Sequence, residues 1–413
     1  MKVFKFGGAS VRNATTLRNV ASILKDHKQQ LLVVVSAMGK TTNMLERIVA
    51  VSQAKQSIAS EIERLKAYHY EITDALFKKN DIVRTTLEIF FERIEKEAPR
   101  NEDYDQVYDQ VVSMGEVISS FILSHFLSDQ GIENEWIDAR QFISTDNNFR
   151  EGKVDWDKTK INIQKIQDIL KKKIIITQGF IGSTQDGLTT TLGRDGSDFT
   201  AAIFASCLNA ESVTIWKDVP GVMNADPKRL PAATIFEELP YKEAAEMTYY
   251  GASVIHPKTI KPLANKGIPL FVKNFDDPTL EGTKIYECKV DHLPPLIVFK
   301  DNQCLISCKV TDYTFIDEHH LGTIFQALSE RNVKINLMQS SAISFSFCVD
   351  FHESKIISLV KHLGQNFEVY YNTGLTLITI KNYDQKAFDE YRLRPGVVLE
   401  QSSRSTLQVL IKS

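Results

Sequence analysis

The residues with most chemistry to offer open the chain. Lys5-Phe6-Gly7-Gly8-Ala9-Ser10 puts a cation just before two residues that lack a Cβ. Two glycines directly after a strand let backbone N–H groups approach an anion closely, and Lys5 would aim its ammonium at the same spot. A tight strand-to-helix turn with an exposed lysine accounts for the same letters, so this stretch alone settles nothing.

Two later stretches add to it. Thr177-Gln178-Gly179-Phe180-Ile181-Gly182-Ser183 is followed by Thr189-Thr190-Thr191-Leu192-Gly193-Arg194-Asp195-Gly196-Ser197-Asp198, which leads into an apolar helix over 199–208. Ser197 or Asp195 is expected to cap that helix. Capping leaves Arg194 and Asp198 unexplained: together they set a carboxylate-binding fork beside an acid that can hold a lysine. The third stretch runs Trp216-Lys217-Asp218-Val219-Pro220-Gly221-Val222-Met223 and on through Asp226-Pro227-Lys228. Taken singly these are turn residues, but the loop follows a strand, and ligands of open α/β sheets sit at strand carboxyl ends.

The elements that position these loops follow from periodicity. Residues 3–6, 31–35, 133–137, 174–177 and 212–216 read as short apolar strands, and Leu31-Leu32-Val33-Val34-Val35 is apolar on both faces, as a central parallel strand requires. Helical spacing occurs over 15–28, 155–171 and 197–208, and in three stretches within 42–130 divided near Asn80-Asp81 and Ala98-Pro99. Strands alternating with helices imply an α/β sandwich around a mostly parallel sheet. The Leu293-Pro294-Pro295 stretch marks a linker. Beyond it a β-α-β-β-α-β unit of ferredoxin-like type fits 303–371, with strands at 366–371 and 374–381. Residues 374–413 read as a shortened second copy.

Composition narrows the class. With 413 residues, 43% apolar and 24% charged, the chain has the make-up of a packed globular protein of two or three domains. A net charge of −3 does not call for nucleic acid, and no apolar run approaches the roughly 18–20 residues of a membrane crossing. Five cysteines without a CxxC pair, and an N-terminus without an apolar leader, place the protein in the reducing cytoplasm. Gly39-Lys40-Thr41 is not a P-loop, because Val34 stands where the first glycine is needed. GxGxxG, HExxH and GxSxG patterns are absent.

The segments KFGGAS, SAMGKTTN, SMGE, QGFIGS, TTTLGRDGSDFTAA, KDVPGVMNADP and EAAEMTYYGASVIHP follow one another in the order seen in aspartokinases, and residues 1–285 as a whole resemble that family. The resemblance implies an amino acid kinase (carbamate-kinase-like) α/β/α sandwich over 1–294, with an amino-acid-binding lobe first and a nucleotide-binding lobe from about 180. Residues 295–413 resemble ACT domains, one complete (303–371) and one shortened (374–413), so a regulatory region is expected there. The implied reaction is ATP-dependent phosphorylation of the L-aspartate side-chain carboxylate to 4-phospho-L-aspartate, with Mg²⁺ held mainly by the ATP phosphates rather than by a metal site in the protein.

By the same resemblance Lys5 neutralises the transferred phosphoryl group, Gly7 and Gly8 donate backbone N–H groups to phosphate, and Asp198 orients Lys5. Arg194 would clamp the α-carboxylate of aspartate and Glu116 its ammonium. Ser36, Ala37 and Thr42 would form the substrate loop, with Phe180 and Ser197 as pocket walls. Lys217, Asp218, Met223 and Lys228 would serve the nucleotide. Lys217 stands where the family often has Thr or Ser, Lys228 where it has Arg, and Ser253 where a lysine is common. In the ACT region the effector site is expected around His320, Leu321 and 335–342. Asn336 and Ala342 replace an Asp and a Glu typical of lysine-binding members, so little response to lysine is expected, while pairing through the first ACT unit implies a homodimer that can build to a tetramer. A kinase of another acidic amino acid, such as glutamate, and a silent amino-acid-binding paralogue are the competing readings.

Overall fold

The computed structural model describes every residue except Asp26, Lys28, Gln29, Asn80, Ala252, Ser253, Val254, Asp291, Asp312, Tyr313 and Ser413. Ser253, singled out above, therefore lies outside the described residues. The chain forms two compact units, Met1–Val222 with Ile235–Thr248 and Ser253–Val290, and Met223–Thr234 with Tyr249–Ala252 and Asp291–Ser413. Two short segments of the first 294 residues thus group with the tail.

In chain order the first unit contains β1 (Lys2–Phe6), α1 (Ala14–Leu24), β2 (Leu31–Val35), α2 (Thr41–Gln53), α3 (Ala59–Leu76), α4 (Asp81–Glu97), α5 (Tyr104–Val112), α6 (Met114–Asp129) and β3 (Asn134–Ile137). It continues with α7 (Trp156–Gln164), α8 (Gln167–Leu170), β4 (Ile174–Gln178), β5 (Ile181–Ser183), β6 (Thr189–Thr191), α9 (Gly196–Leu208), β7 (Ser212–Lys217), β8 (Glu238–Pro240), α10 (Tyr241–Tyr249), α11 (Pro257–Ala264), β9 (Leu270–Asn274) and β10 (Thr283–Tyr286). Eight strands make one sheet in the order β3-β4-β2-β1-β7-β9-β10-β8, parallel except where β10 meets β9. β2 is buried along its whole length, as its two apolar faces require. Phe4, Phe6, Val33, Val35, Ile174 and Ile176 form one core with α1 to α6, while α9 packs across β1, β2 and β7.

The stretch 42–130 holds five helices rather than three. The expected breaks near 80 and 98 are present, but the chain also breaks after Gln53, where Lys55 takes a left-handed φ of 57°, and at Ser113, which ends α5 and starts α6. Tyr104–Asp129 reaches a mean hydropathy of 1.4 over a membrane-length window, yet 89% of that window is buried within the protein. Its apolar surface is core.

The second unit contains β11 (Leu296–Lys309), α12 (Glu318–Glu330), β12 (Ile335–Ser340), β13 (Ser344–Asp350), α13 (Glu353–Leu363), β14 (Glu368–Lys381), α14 (Gln385–Arg392), β15 (Val397–Ser402) and β16 (Thr406–Lys412). Its antiparallel sheet has the order β12-β13-β11-β14-β16-β15. The two strands expected at 366–371 and 374–381 are one: Gly374, at φ 68°, and the register shifts opposite it make a bulge instead of a break. β11 likewise starts well before residue 303, so its first half supplies a strand to the shortened copy while its second half serves the complete one. Ile324, Leu328, Ile356 and Leu359 cover the complete half. Tyr391 and Ala387 of α14 cover the other, together with Ala225, Leu230 and Ala233 from the segment Met223–Thr234.

Candidate active site

β1 and β7 are parallel neighbours, so their carboxyl ends deliver Lys5 and Lys217 to the same edge of the sheet. Asp198, in the first turn of α9, meets both: Lys5 Nζ is 2.7 Å from Oδ1 and Lys217 Nζ 3.8 Å from Oδ2. Burial by itself would raise the Asp198 pKa, but the charges of Lys5 and Lys217 prevail and hold it below the usual carboxylate value. The expected cap of α9 is not made. Asp195 takes the N-cap position at φ 55° with no side-chain hydrogen bond, so the positive end of the helix dipole stays available to an anion.

Opposite this pair, the loop after β2 carries Ser36 and Ala37, and α2 begins next to Thr42. The Ala37 N–H donates to Glu116 Oε1 at 3.2 Å. Glu116 Oε2 has no partner although the side chain is buried. Burial, opposed by the Ala37 N–H and by Lys5, pushes the Glu116 carboxyl up to about 8. An acid in that state gains most from an arriving cation. Gly8 is required here by space: a Cβ would lie 2.9 Å from the Ala37 carbonyl.

Phe180 and Ser197 come from the β4–β5 connection and α9. The Phe180 N–H donates to Thr200 Oγ1 at 2.9 Å, which fixes this residue at a left-handed φ of 69°. Gly179 lies so close to α9 that a Cβ would fall 2.5 Å from Ser197 Cβ. Arg194 projects with its side chain 80% exposed and its Nε 3.8 Å from Asp195 Oδ2.

These residues enclose a cavity of about 730 Å³. Lys5, Gly8, Ser36, Ala37, Thr42, Glu116, Phe180, Arg194, Ser197 and Asp198 all line it. Gly7 sits behind, next to the Lys5 ammonium. Lys217 reaches the site through Asp198, whereas Asp218 is exposed in the following loop and lines no part of the cavity. Met223 and Lys228 belong to the second unit. Among the described residues no three His, Cys, Asp or Glu side chains form a metal-binding group.

The cavity also has a wall that the motifs do not reveal: Asp105 and Tyr108 of α5, with Asn148, Phe149, Arg150 and Glu151. Asp109, fully buried, accepts from the Thr191 N–H (2.8 Å) and hydroxyl (2.7 Å) and from the Arg150 N–H (2.8 Å). Gln110 clamps Thr189 from both sides, its Nε2 donating to the Thr189 carbonyl at 2.8 Å and its Oε1 accepting from the Thr189 N–H at 3.2 Å. The sequence gives little signal here, because Asp109-Gln110 repeats the Asp105-Gln106 pair one turn earlier on the same helix and only the second pair is buried.

Comparison with known proteins gives the family. Residues 1–274 match the amino acid kinase family. Lysine-sensitive aspartokinase 3 of Escherichia coli is 30% identical over 395 residues, covering 92% of this chain and 87% of that protein. A chloroplastic bifunctional aspartokinase/homoserine dehydrogenase of Arabidopsis thaliana is 31% identical over 90% of this chain, which spans 42% of that longer protein. The crystal structure of E. coli aspartokinase III with aspartate and ADP superimposes with a TM-score of 0.83 at 28% identity, covering 100% of this chain and 96% of that one. That of Clostridium acetobutylicum aspartate kinase has the same fold, with a TM-score of 0.81 at 22% identity. With the Lys5–Asp198 pair at the head of α9 and relatives matched along nearly the whole chain, this protein belongs to the amino acid kinase family and, within it, to the aspartokinases, which are phosphotransferases.

Proposed function

We propose that the protein transfers the γ-phosphoryl group of ATP to the side-chain carboxylate of L-aspartate, releasing ADP and 4-phospho-L-aspartate. The observation that carries this reading is the pairing, in one cavity, of a buried lysine held by Asp198 with a buried acid, Glu116, that has an unpartnered oxygen. A carboxylate with a pKa near 4 is already ionised at neutral pH, so the nucleophile needs no general base. The barrier is the approach of two anions, which cations and oriented N–H groups lower. Lys5 would neutralise the transferring group, with the uncapped start of α9 beside it. Arg194 would bind the α-carboxylate and Glu116 the α-ammonium. Gly7, Gly8, Lys217 and Asp218 would serve the nucleotide, and Met223 and Lys228 are nucleotide candidates on family resemblance. Mg²⁺ bound to the ATP phosphates would withdraw charge from them.

The product would feed synthesis of lysine, threonine and methionine, and five free thiols fit a cytoplasmic setting. In the second unit Asn336 is already engaged. Lys300 Nζ lies 2.9 Å from Asn336 Oδ1 and 2.9 Å from Asp350 Oδ1, and Asn336 Nδ2 donates to Gln303 Oε1 at 2.7 Å. An ammonium attached to the chain itself holds the place a lysine effector's ammonium would need, so we assign this ACT pair to dimer formation and expect weak lysine control. The test is ADP release with L-aspartate, L-glutamate and N-acetylglutamate. Turnover on aspartate supports the reading. Turnover on glutamate alone, or binding without turnover, replaces it by one of the two competing readings.

A further inference from the structure

Arg150 is an outlier in two respects. Its φ of 65° is left-handed, a conformation L side chains rarely adopt and one a glycine would take without strain. Asp109 enforces it by accepting the Arg150 N–H at 2.8 Å while holding Thr191 of β6 with the same carboxylate. The guanidinium is held as well: it lies 4.3 Å from the Tyr108 ring centroid, and Nη1 is 3.2 Å from Asp105 Oδ1. The side chain remains 46% exposed, and it lines the cavity together with both of those partners.

Lys5, Arg150 and Arg194 are the cations among the described residues that line the cavity. The loops carrying the two arginines abut, since a Cβ on Gly193 would fall 3.3 Å from the Arg150 carbonyl. Arg194 is the less organised, 80% exposed with one contact at 3.8 Å. Arg150 is fixed at the backbone by a buried carboxylate and at the side chain by an aromatic face, with much of its donor fork still open. A strained arginine where glycine would serve the turn points to a use for the side chain.

We propose that Arg150 is a substrate-binding residue, supplying a second guanidinium that shares the α-carboxylate of the amino-acid substrate with Arg194. This rests on reading the cavity as the aspartate site. The fork suits a planar carboxylate, and the fixed backbone lowers the ordering cost of binding.

The experiment measures L-aspartate binding by calorimetry, and steady-state kinetics, for wild type, Arg150→Gly and Arg150→Lys. Arg150→Gly keeps the turn and removes the whole side chain, with its contacts to Tyr108 and Asp105. It is expected to raise Kd and KM for aspartate about ten-fold, with kcat and the ATP KM within about two-fold and no loss of thermal stability. Arg150→Lys keeps a cation but not the planar fork, so its aspartate KM should fall between those of wild type and Arg150→Gly. An unchanged aspartate KM in Arg150→Gly, with a wild type that phosphorylates aspartate, overturns the Arg150 assignment alone. So does a rise in the ATP KM as large as that in the aspartate KM, because the loss would then not be confined to the amino-acid substrate. A wild type that binds no aspartate overturns the reading of the cavity and this inference with it.

Discussion

The Lys5 ammonium and the Asp198 carboxylate sit 2.7 Å apart with side chains only 10% and 4% exposed, one at the end of the first strand and the other in the first turn of α9. Neither could be buried alone without a large desolvation cost. Each therefore helps to hold the other in place, and Lys217 adds a second cation on Asp198.

Replacing Lys5 by Met should lower turnover by about 10³-fold while the protein stays folded, since a principal cation at the transferring group is lost. The Asp198 pKa is depressed in the folded state, so the pair's stabilisation is present above the unfolded value of 3.8 and is lost only as pH falls through the lower folded value. Acid unfolding of Lys5→Met should accordingly begin at a higher pH than that of wild type. Coincident acid-unfolding curves would show that the pair adds nothing to stability.

Glu116 behaves in the opposite sense. Its carboxyl is pushed from 4.5 to about 8, so the native state without substrate holds a proton that the unfolded chain gives up between those values. Its contribution to stability falls as pH rises through that window. Glu116→Gln should flatten this part of the stability profile. If Glu116 takes the substrate ammonium, binding of aspartate at pH 7 should release about one proton, measurable by calorimetry in buffers of different ionisation enthalpy. Proton-neutral binding would remove Glu116 from that role.

Asp109 secures the wall of the cavity. Asp109→Ala strands the buried Thr191 N–H and hydroxyl together with the Arg150 N–H, and should cost about 2–4 kcal/mol by denaturant unfolding. A cost near zero would mean that water replaces the carboxylate.

Gly179→Ala tests the packing of the β4–β5 connection on α9. The added methyl would fall 2.5 Å from Ser197 Cβ, so it should displace Ser197 and lower kcat/KM for aspartate by about ten-fold or more. Wild-type kinetics would place Ser197 outside the reaction.

Lysine at millimolar concentration should leave the rate within about two-fold, because Lys300 already occupies Asn336 and Asp350. Strong inhibition below a millimolar would show that an effector displaces Lys300.

Lys5, Gly8, Arg194 and Asp198 could be singled out in the sequence because glycines and charges crowd the ends of elements there, and the family resemblance gave them roles that each stretch alone, readable as a turn or cap, did not. The opposite wall could not. Asp105 and Tyr108 lie on a helix of ordinary polar and aromatic composition, and Arg150 sits in a turn that asks for glycine, so burial and partners appear only in three dimensions. The continuous β11 was hidden for a related reason. Asp301-Asn302 and Asn372-Thr373-Gly374 look like turns, yet they face each other near the register shifts of two long strands. In the helical region, Lys55 breaks the chain in a left-handed conformation that its residue type does not advertise.

Ala225, Leu230 and Ala233 close the apolar face formed by Ile378, Ile380, Leu407 and Val409. A tail exchanged between relatives must therefore match side chains encoded far upstream, within the span of the kinase family match. What looks like a detachable cassette is inherited as two separated strings of sequence, and substitutions in one should be accompanied by changes in the other.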